Sequence, residues 1–250
     1  MAIREDPEGV ELQTVLKHAR FTGKEVLEVG CGDGRLTFKF ADMAKSVVAL
    51  DPVAGDISKA TESMPKELLP KVNFLIGRGE KLPFPNASFD VVFFTWSLCA
   101  MSSETHMEEA LDEARRVLRP GGLVLNLQPS LQQPFHWGDV TYLVTKDPAH
   151  LVDGDVRMDA FNSRYAIKRA ALIEERFHLI AEEEFTGNIY FDTIEEAVEA
   201  INEPWKNEYD RLDEETKLEI RRRLRSRHTP EGVRVQVNGV VTVLRKLQPG

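Results

Sequence analysis

The chain is poor in cysteine, with only Cys31 and Cys99 in 250 residues. That excludes a disulfide framework and a zinc site built on several thiolates. At most one disulfide is open to it, and a reduced, cytoplasmic chain is the simpler reading. Positive charge is also short. Lys and Arg number 32 against 41 Asp and Glu, a net charge of -9. That argues against nucleic acid as the main partner, because phosphate binding draws on clustered cations. Long apolar runs are missing too. The longest, Val91 to Met101, is interrupted by Thr95 and Ser97 and is too short to span a bilayer. Met1 to Glu11 is charged and lacks the apolar stretch of a secretion signal. No internal repeat and no metal-ligand cluster stands out, so no metal is expected. What is present, 42% hydrophobic and 29% charged residues, suits a globular fold.

Apolar patterning then gives the order of elements. Asp6-Pro7-Glu8 has the form of a helix start, followed by a rough helical stripe to Gly23. Val26 to Val29 is β-prone and runs directly into Gly30-Cys31-Gly32-Asp33-Gly34. A helix over Arg35 to Lys45 is expected next, then a strand over Val47 to Leu50 ending in Asp51-Pro52. A polar helix follows from Asp56 to Met64, and a third strand over Val72 to Ile76. Phe89 to Trp96 is the most apolar strand, as the middle of a parallel sheet requires. Glu104 to Leu118 is an amphipathic helix, stopped by Arg119-Pro120-Gly121-Gly122 ahead of a strand over Leu123 to Leu127. Strands alternating with helices imply an open parallel sheet with helices on both faces.

The C-terminal third breaks this rhythm. Gln128 to Asn162 is long, rich in proline and aromatics, and of the kind that serves function. Helices are expected over Ser163 to Phe177, Thr193 to Ile201 and Asp213 to Arg227, with an extended segment over His178 to Tyr190. Asn238-Gly239 between β-prone flanks signals a hairpin, or a bend before a final strand.

The glycine loop sits between a strand and a helix, where open α/β sheets bind ligands. A dinucleotide loop wants G-x-G-x-x-G. Here the third glycine comes one place early, and Arg35 stands where it would be. Glu28 and Asp33 would repel a pyrophosphate but attract a cationic ligand.

This loop resembles motif I of the class I S-adenosylmethionine-dependent methyltransferases. Gly77 to Val92, with Gly79-Glu80-Lys81-Leu82-Pro83-Phe84 at its centre, resembles the adenine loop and fourth strand of the ubiquinone/menaquinone-biosynthesis type. Leu118-Arg119-Pro120-Gly121-Gly122 resembles the turn before that family's fifth strand. The resemblance covers Val26 to Leu127. It implies a Rossmann-like, mainly parallel seven-stranded sheet with helices on both faces. Strands six and seven would lie near Ile180–Tyr190 and Val240–Leu247, with a helical insert, Thr193 to His228, before the last. It also implies one methyltransferase domain over 1–250, with a cofactor-binding half over 1–127 and acceptor-site or lid segments over 128–162 and 191–232.

The implied cofactor is S-adenosyl-L-methionine, leaving as S-adenosyl-L-homocysteine after methyl transfer to N, O or C of a small-molecule acceptor. Its expected contacts are Glu28, Gly30, Cys31, Gly32, Asp51, Pro52, Arg78, Gly79, Glu80, Thr95 and Trp96. Asp51 is placed to hold both ribose hydroxyls, since a carboxylate offers two acceptor oxygens to a vicinal diol. Two positions depart from the pattern. Arg78 stands where relatives carry an aspartate that accepts from the adenine amine, and Cys99-Ala100 stand where many carry histidines.

On the acceptor side, His136 is the candidate base, because histidine titrates near neutrality. Trp137, Tyr142, Trp205 and Tyr209 are candidate pocket walls. The basic run Arg221 to His228 reads as a solvated helix face, with Glu219 four residues before Arg223. Competing readings are a nicotinamide-dependent oxidoreductase and a non-catalytic family member acting as a binding or regulatory protein.

Overall fold

The structure is a computed structural model that describes residues 4–130, 162–173, 176–202, 210 and 212–247. Contacts group the chain into two compact units. One is built on Glu11–Gln128, joined by the described residues of Asp159–Glu184 and Val240–Gly250. The other is built on the described residues of Met1–Val10 and Phe185–Gly239. Strands are β1 (Arg4–Glu5), β2 (Glu25–Val29), β3 (Ser46–Asp51), β4 (Val72–Ile76), β5 (Phe89–Thr95), β6 (Leu118–Pro129), β7 (Phe177–Phe191), β8 (His228–Thr229) and β9 (Gly232–Lys246). Hydrogen-bonded neighbours run β1-β7-β9-β6-β5-β2-β3-β4, with β8 on β9. The seven long strands are those expected, and the two-residue β1 and β8 add to them.

In the first unit, β2 pairs in parallel with β3 and with β5, β3 with β4, and β5 with β6. The central strands are buried along their length, which is why β5 reads as unbroken apolar sequence. Helix α1 (Val10–His18) lies between β1 and β2 and begins at Val10 rather than at the expected Asp6-Pro7 start. Asp6 adopts φ 45°, and its Oδ1 accepts from Val10 N at 2.8 Å. The chain after β2 forms only α2 (Thr37–Phe40) and a 3-10 turn, Ala41–Met43, shorter than the expected helix over Arg35 to Lys45. Phe40 is buried there, its ring stacked on Phe21 at 4.8 Å and tilted against Phe93 at 5.8 Å. Helices α3 (Ala54–Ser63) and α4 (Glu104–Val117) match their apolar patterning. Ser103 caps α4 by accepting from His106 N. One face of α4, Met107, Ala110, Leu111, Ala114 and Val117, is wholly buried in the core with Leu27, Val92 and Phe94.

In the second unit, helices α5 (Ile194–Asn202) and α6 (Glu214–Ser226) supply the expected insert. Ile220 and Leu224 of α6 pack with Phe191, Ala197, Val198 and Val233. The arginine run is a paired helix face. Arg221 meets Glu195 at 2.8 Å, and Arg222 and Arg223 both bind Glu219. Neither the hairpin nor the bend read at Asn238-Gly239 forms, and β9 runs straight through. Thr186 Oγ1 donates to Asn238 Oδ1, and Ser130 N donates to Asn238 O. These long-range bonds hold the dipeptide extended, and the turn forms earlier, between β8 and β9.

Asp213 caps α6 by accepting from Thr216 N at 2.7 Å and from the Thr216 hydroxyl at 2.9 Å. Replacing it with Ala is expected to destabilise the protein by about 1 kcal/mol. Urea unfolding should show a lower midpoint at unchanged slope.

Candidate active site

A cavity of about 380 Å³ opens at the carboxyl ends of β2, β3 and β5, within the first unit. Gly30, Gly32, Asp51, Pro52, Arg78, Gly79, Glu80, Thr95 and Trp96 line it. Nine of the eleven expected cofactor contacts therefore surround one space, although they come from four separate stretches of chain.

The loop is shaped by its backbone. Gly30 has φ +78°, and a Cβ there would overlap the Ser97 side chain. Gly30 N and Cys31 N both donate to Leu50 O, at 2.8 and 3.1 Å. Gly34, the early third glycine, has φ +86° and presses on the rings of Phe38 and Phe74. It is not among the residues lining the cavity, so its place in the motif is set by packing.

Asp51 is buried, with Oδ2 accepting from Gly32 N at 3.0 Å and Oδ1 from Val53 N at 2.9 Å. Each oxygen has a second lone pair, so the carboxylate can order the loop and still accept from two hydroxyls. Asp51, Asp56 and Glu80 bring three carboxylates to the lining, and Arg78 brings one guanidinium. The surplus of negative charge suits a cationic ligand.

Two expected contacts lie elsewhere. Glu28 is fully buried and is not among the residues lining the cavity. The Thr37 hydroxyl donates to its Oε2 at 2.5 Å, and Thr95 Oγ1 lies 3.1 Å from its Oε1. Thr95 Oγ1 is also 2.9 Å from Gly30 O. A hydroxyl has one proton, so if Thr95 donates to Gly30 O, the contact with Glu28 requires a proton on the carboxyl. Burial agrees, pushing the Glu28 pKa from 4.5 up to about 7 against the lowering effect of its two threonine partners. Glu28 thus braces the loop from behind. Cys31 is buried beside it, its thiol pKa driven upward by burial and by the nearby carboxylates of Glu28 and Asp51. That makes it inert rather than a nucleophile.

Trp96 holds a left-handed backbone at φ +58°, a conformation that costs roughly 1–3 kcal/mol in a non-glycine residue. Its amide donates to Leu127 O at 3.1 Å and its indole Nε1 to Glu11 Oε1 at 3.1 Å. Sequence reasoning missed several lining residues: Val53, Asp56, Ala100, Met101 and Ser102. Only Asp56, in the first turn of the helix after Asp51, carried a readable signal. His106 stands behind Ser102, with Nδ1 2.8 Å from Ser102 Oγ and 3.9 Å from Glu80 Oε1. His136, Trp137, Tyr142, Trp205 and Tyr209 lie outside the described residues. Among the described residues, no group of His, Cys, Asp and Glu could hold a metal ion, and no helix is long and apolar enough to cross a membrane.

Comparison with known proteins bears on the same stretch. A family model described as a methyltransferase domain matches residues 27–126. This stretch of the chain is thus similar to a methyltransferase domain. Over 111 residues the chain is 34% identical to a probable S-adenosylmethionine-dependent methyltransferase of Mycolicibacterium smegmatis, covering 44% of this chain and 40% of that one. Over 110 residues it is 36% identical to a ubiquinone/menaquinone biosynthesis C-methyltransferase of Ectopseudomonas mendocina, covering 42% of each. The match thus spans about two fifths of these relatives' own length. A crystal structure of a putative methyltransferase from Bacillus halodurans shares the fold over 95% of this chain and 98% of that one, with TM-score 0.62 and 18% identity. The matched stretch contains the cavity walls described above, from Val29 to Ser102.

The Glu28 carboxyl gives a pH prediction with a definite sign. Below about pH 4.5 folded and unfolded chains both keep its proton. Between 4.5 and 7 only the folded chain does, so its contribution to stability falls as pH rises. Glu28→Gln mimics the neutral acid. It should gain on the parent by up to about 3 kcal/mol between pH 4.5 and 8 in urea unfolding. A difference that stays flat with pH would show that the carboxyl ionises normally.

Proposed function

We propose that this chain is an S-adenosylmethionine-dependent methyltransferase acting on N, O or C of a small-molecule acceptor. The observation that carries the reading is Asp51. Its buried carboxylate lines the cavity, orders Gly32 and Val53, and has acceptor capacity beyond those two bonds. This is the arrangement a ribose diol needs, in a cavity whose surplus acidity favours a sulfonium and an amine. The similarity of the surrounding stretch to a methyltransferase domain supports the same assignment.

S-adenosylmethionine supplies a methyl group already activated on sulfur, so the chain's own task is to position two reactants. Gly30 and Gly32 let the backbone approach the amino-acid end, Asp51 takes the ribose, and Gly79 and Glu80 flank the base. Arg78 cannot accept a hydrogen bond from an adenine amine, so the polar contact at that end falls to Glu80 and backbone. We assign 1–127 as the cofactor-binding half and 128–162 and 191–232 as the acceptor side, with His136, Trp137, Tyr142, Trp205 and Tyr209 as its candidate residues. Cys31 and Cys99, both buried and not joined in a disulfide, support a cytoplasmic location.

Thermal unfolding with S-adenosylhomocysteine, S-adenosylmethionine and, as control, NADH tests the cofactor. A ligand at about 100 times its Kd adds roughly 2.7 kcal/mol, or about 5–10 °C in midpoint for a chain of this size. The shift is expected with the adenosyl compounds alone. Asp51→Asn should weaken their binding about tenfold or more. No shift from a folded sample would remove the methyltransferase reading, and a shift from NADH would replace it with an oxidoreductase.

A further inference from the structure

The mouth of the cavity is tied together by a residue that lies outside the matched domain. Glu11, in α1, has a carboxylate that is only 6% exposed. Its Oε2 accepts from Arg35 Nη1 at 2.9 Å, and its Oε1 accepts from Arg35 Nη2 at 3.2 Å and from Trp96 Nε1 at 3.1 Å. Arg35 directly follows the glycine loop, and its amide is anchored to Asp33 Oδ1 at 3.3 Å. Trp96 directly follows β5 and lines the cavity in its left-handed backbone conformation. One carboxylate therefore joins a lining residue, Trp96, to the residue that follows the glycine loop, Arg35, 61 positions away in sequence. A planar guanidinium fork and an indole N–H both have fixed directions, so the carboxylate sets their relative position rather than merely neutralising charge.

We propose that Glu11 is a positioning residue for the cofactor cavity, fixing the Trp96 indole against the glycine-loop side through its shared bonds to Arg35 and Trp96. The proposal rests on the S-adenosyl reading of the cavity. Glu11 touches neither ligand nor reacting atom in this role. Its effect passes through the indole wall. Sequence patterning alone presents it as an ordinary polar position on an N-terminal helix.

The test uses the full chain with Glu11→Met, which keeps volume and removes both acceptor oxygens, and Glu11→Gln, which keeps one. S-adenosylhomocysteine affinity is measured by calorimetry. The indole N–H resonance of Trp96 is followed in ¹H–¹⁵N spectra and assigned by its loss in Trp96→Phe. Glu11→Met is expected to move that resonance and to weaken binding about tenfold, or 1.4 kcal/mol. Glu11→Gln should hold the resonance near its original place and restore most of the affinity. Should Glu11→Met not fold, Trp96→Phe keeps an aromatic wall without the donor and should show the same loss. Unchanged affinity in folded Glu11→Met, or in Trp96→Phe, would overturn the positioning role alone. Failure of the parent chain to bind S-adenosylhomocysteine, with the Trp96 resonance still sensitive to Glu11, would instead overturn the cofactor reading and this role with it.

Discussion

The buried carboxyl of Glu28 is the constraint on which the site depends. It sits at the end of the strand that feeds the glycine loop, with no exposure to water. Its partners come from α2 and β5, through Thr37 and Thr95, and Thr95 passes the connection on to Gly30 O. A carboxyl in such a place is costly when charged and inexpensive when neutral. Burial raises its pKa to about 7, and its hydrogen bonds tie β2, α2 and β5 into one set. Removing either threonine hydroxyl would leave a buried acceptor without its donor.

With that set behind it, the loop can spend its remaining groups on the cavity. Leu50 O collects two loop amides, and Asp51 collects a third while keeping acceptor capacity. The division of labour between the two acidic residues is electrostatic. Glu28 lies deep, where burial raises its pKa to about 7, whereas Asp51 lines the cavity and, like Asp56 and Glu80, brings a carboxylate where a cation would bind. Arg78 is the exception in this lining, a guanidinium among its carboxylates.

Most of the fold was legible. The alternation of apolar strands with amphipathic helices located β2 to β6, α3 and α4 to within a few residues, because each buries a local, periodic face. The caps at Ser103 and Asp213 act through side chains within three residues of the amides they bind. The misreadings share a cause. Asn238-Gly239 has strong turn chemistry, yet cross-strand bonds to Thr186 and Ser130 keep it in β9. The segment after the glycine loop has a helical stripe, yet Phe40 is claimed by Phe21 and Phe93, and the helix shortens to one turn before a tighter one.

By itself the sequence determined the glycine loop, the acid at the end of β3 and the Gly79-Glu80 stretch. These are short motifs whose chemistry follows from neighbouring residues and their order. Only the tertiary structure decided which acid faces the cavity and which braces it from behind. It alone placed Trp96 in a left-handed turn under Glu11, and brought Val53, Met101 and Ser102 to the rim. Those outcomes depend on groups tens of residues apart meeting at one distance and angle. Local propensity carries no information about such meetings, because they exist only once the sheet has closed the space between them.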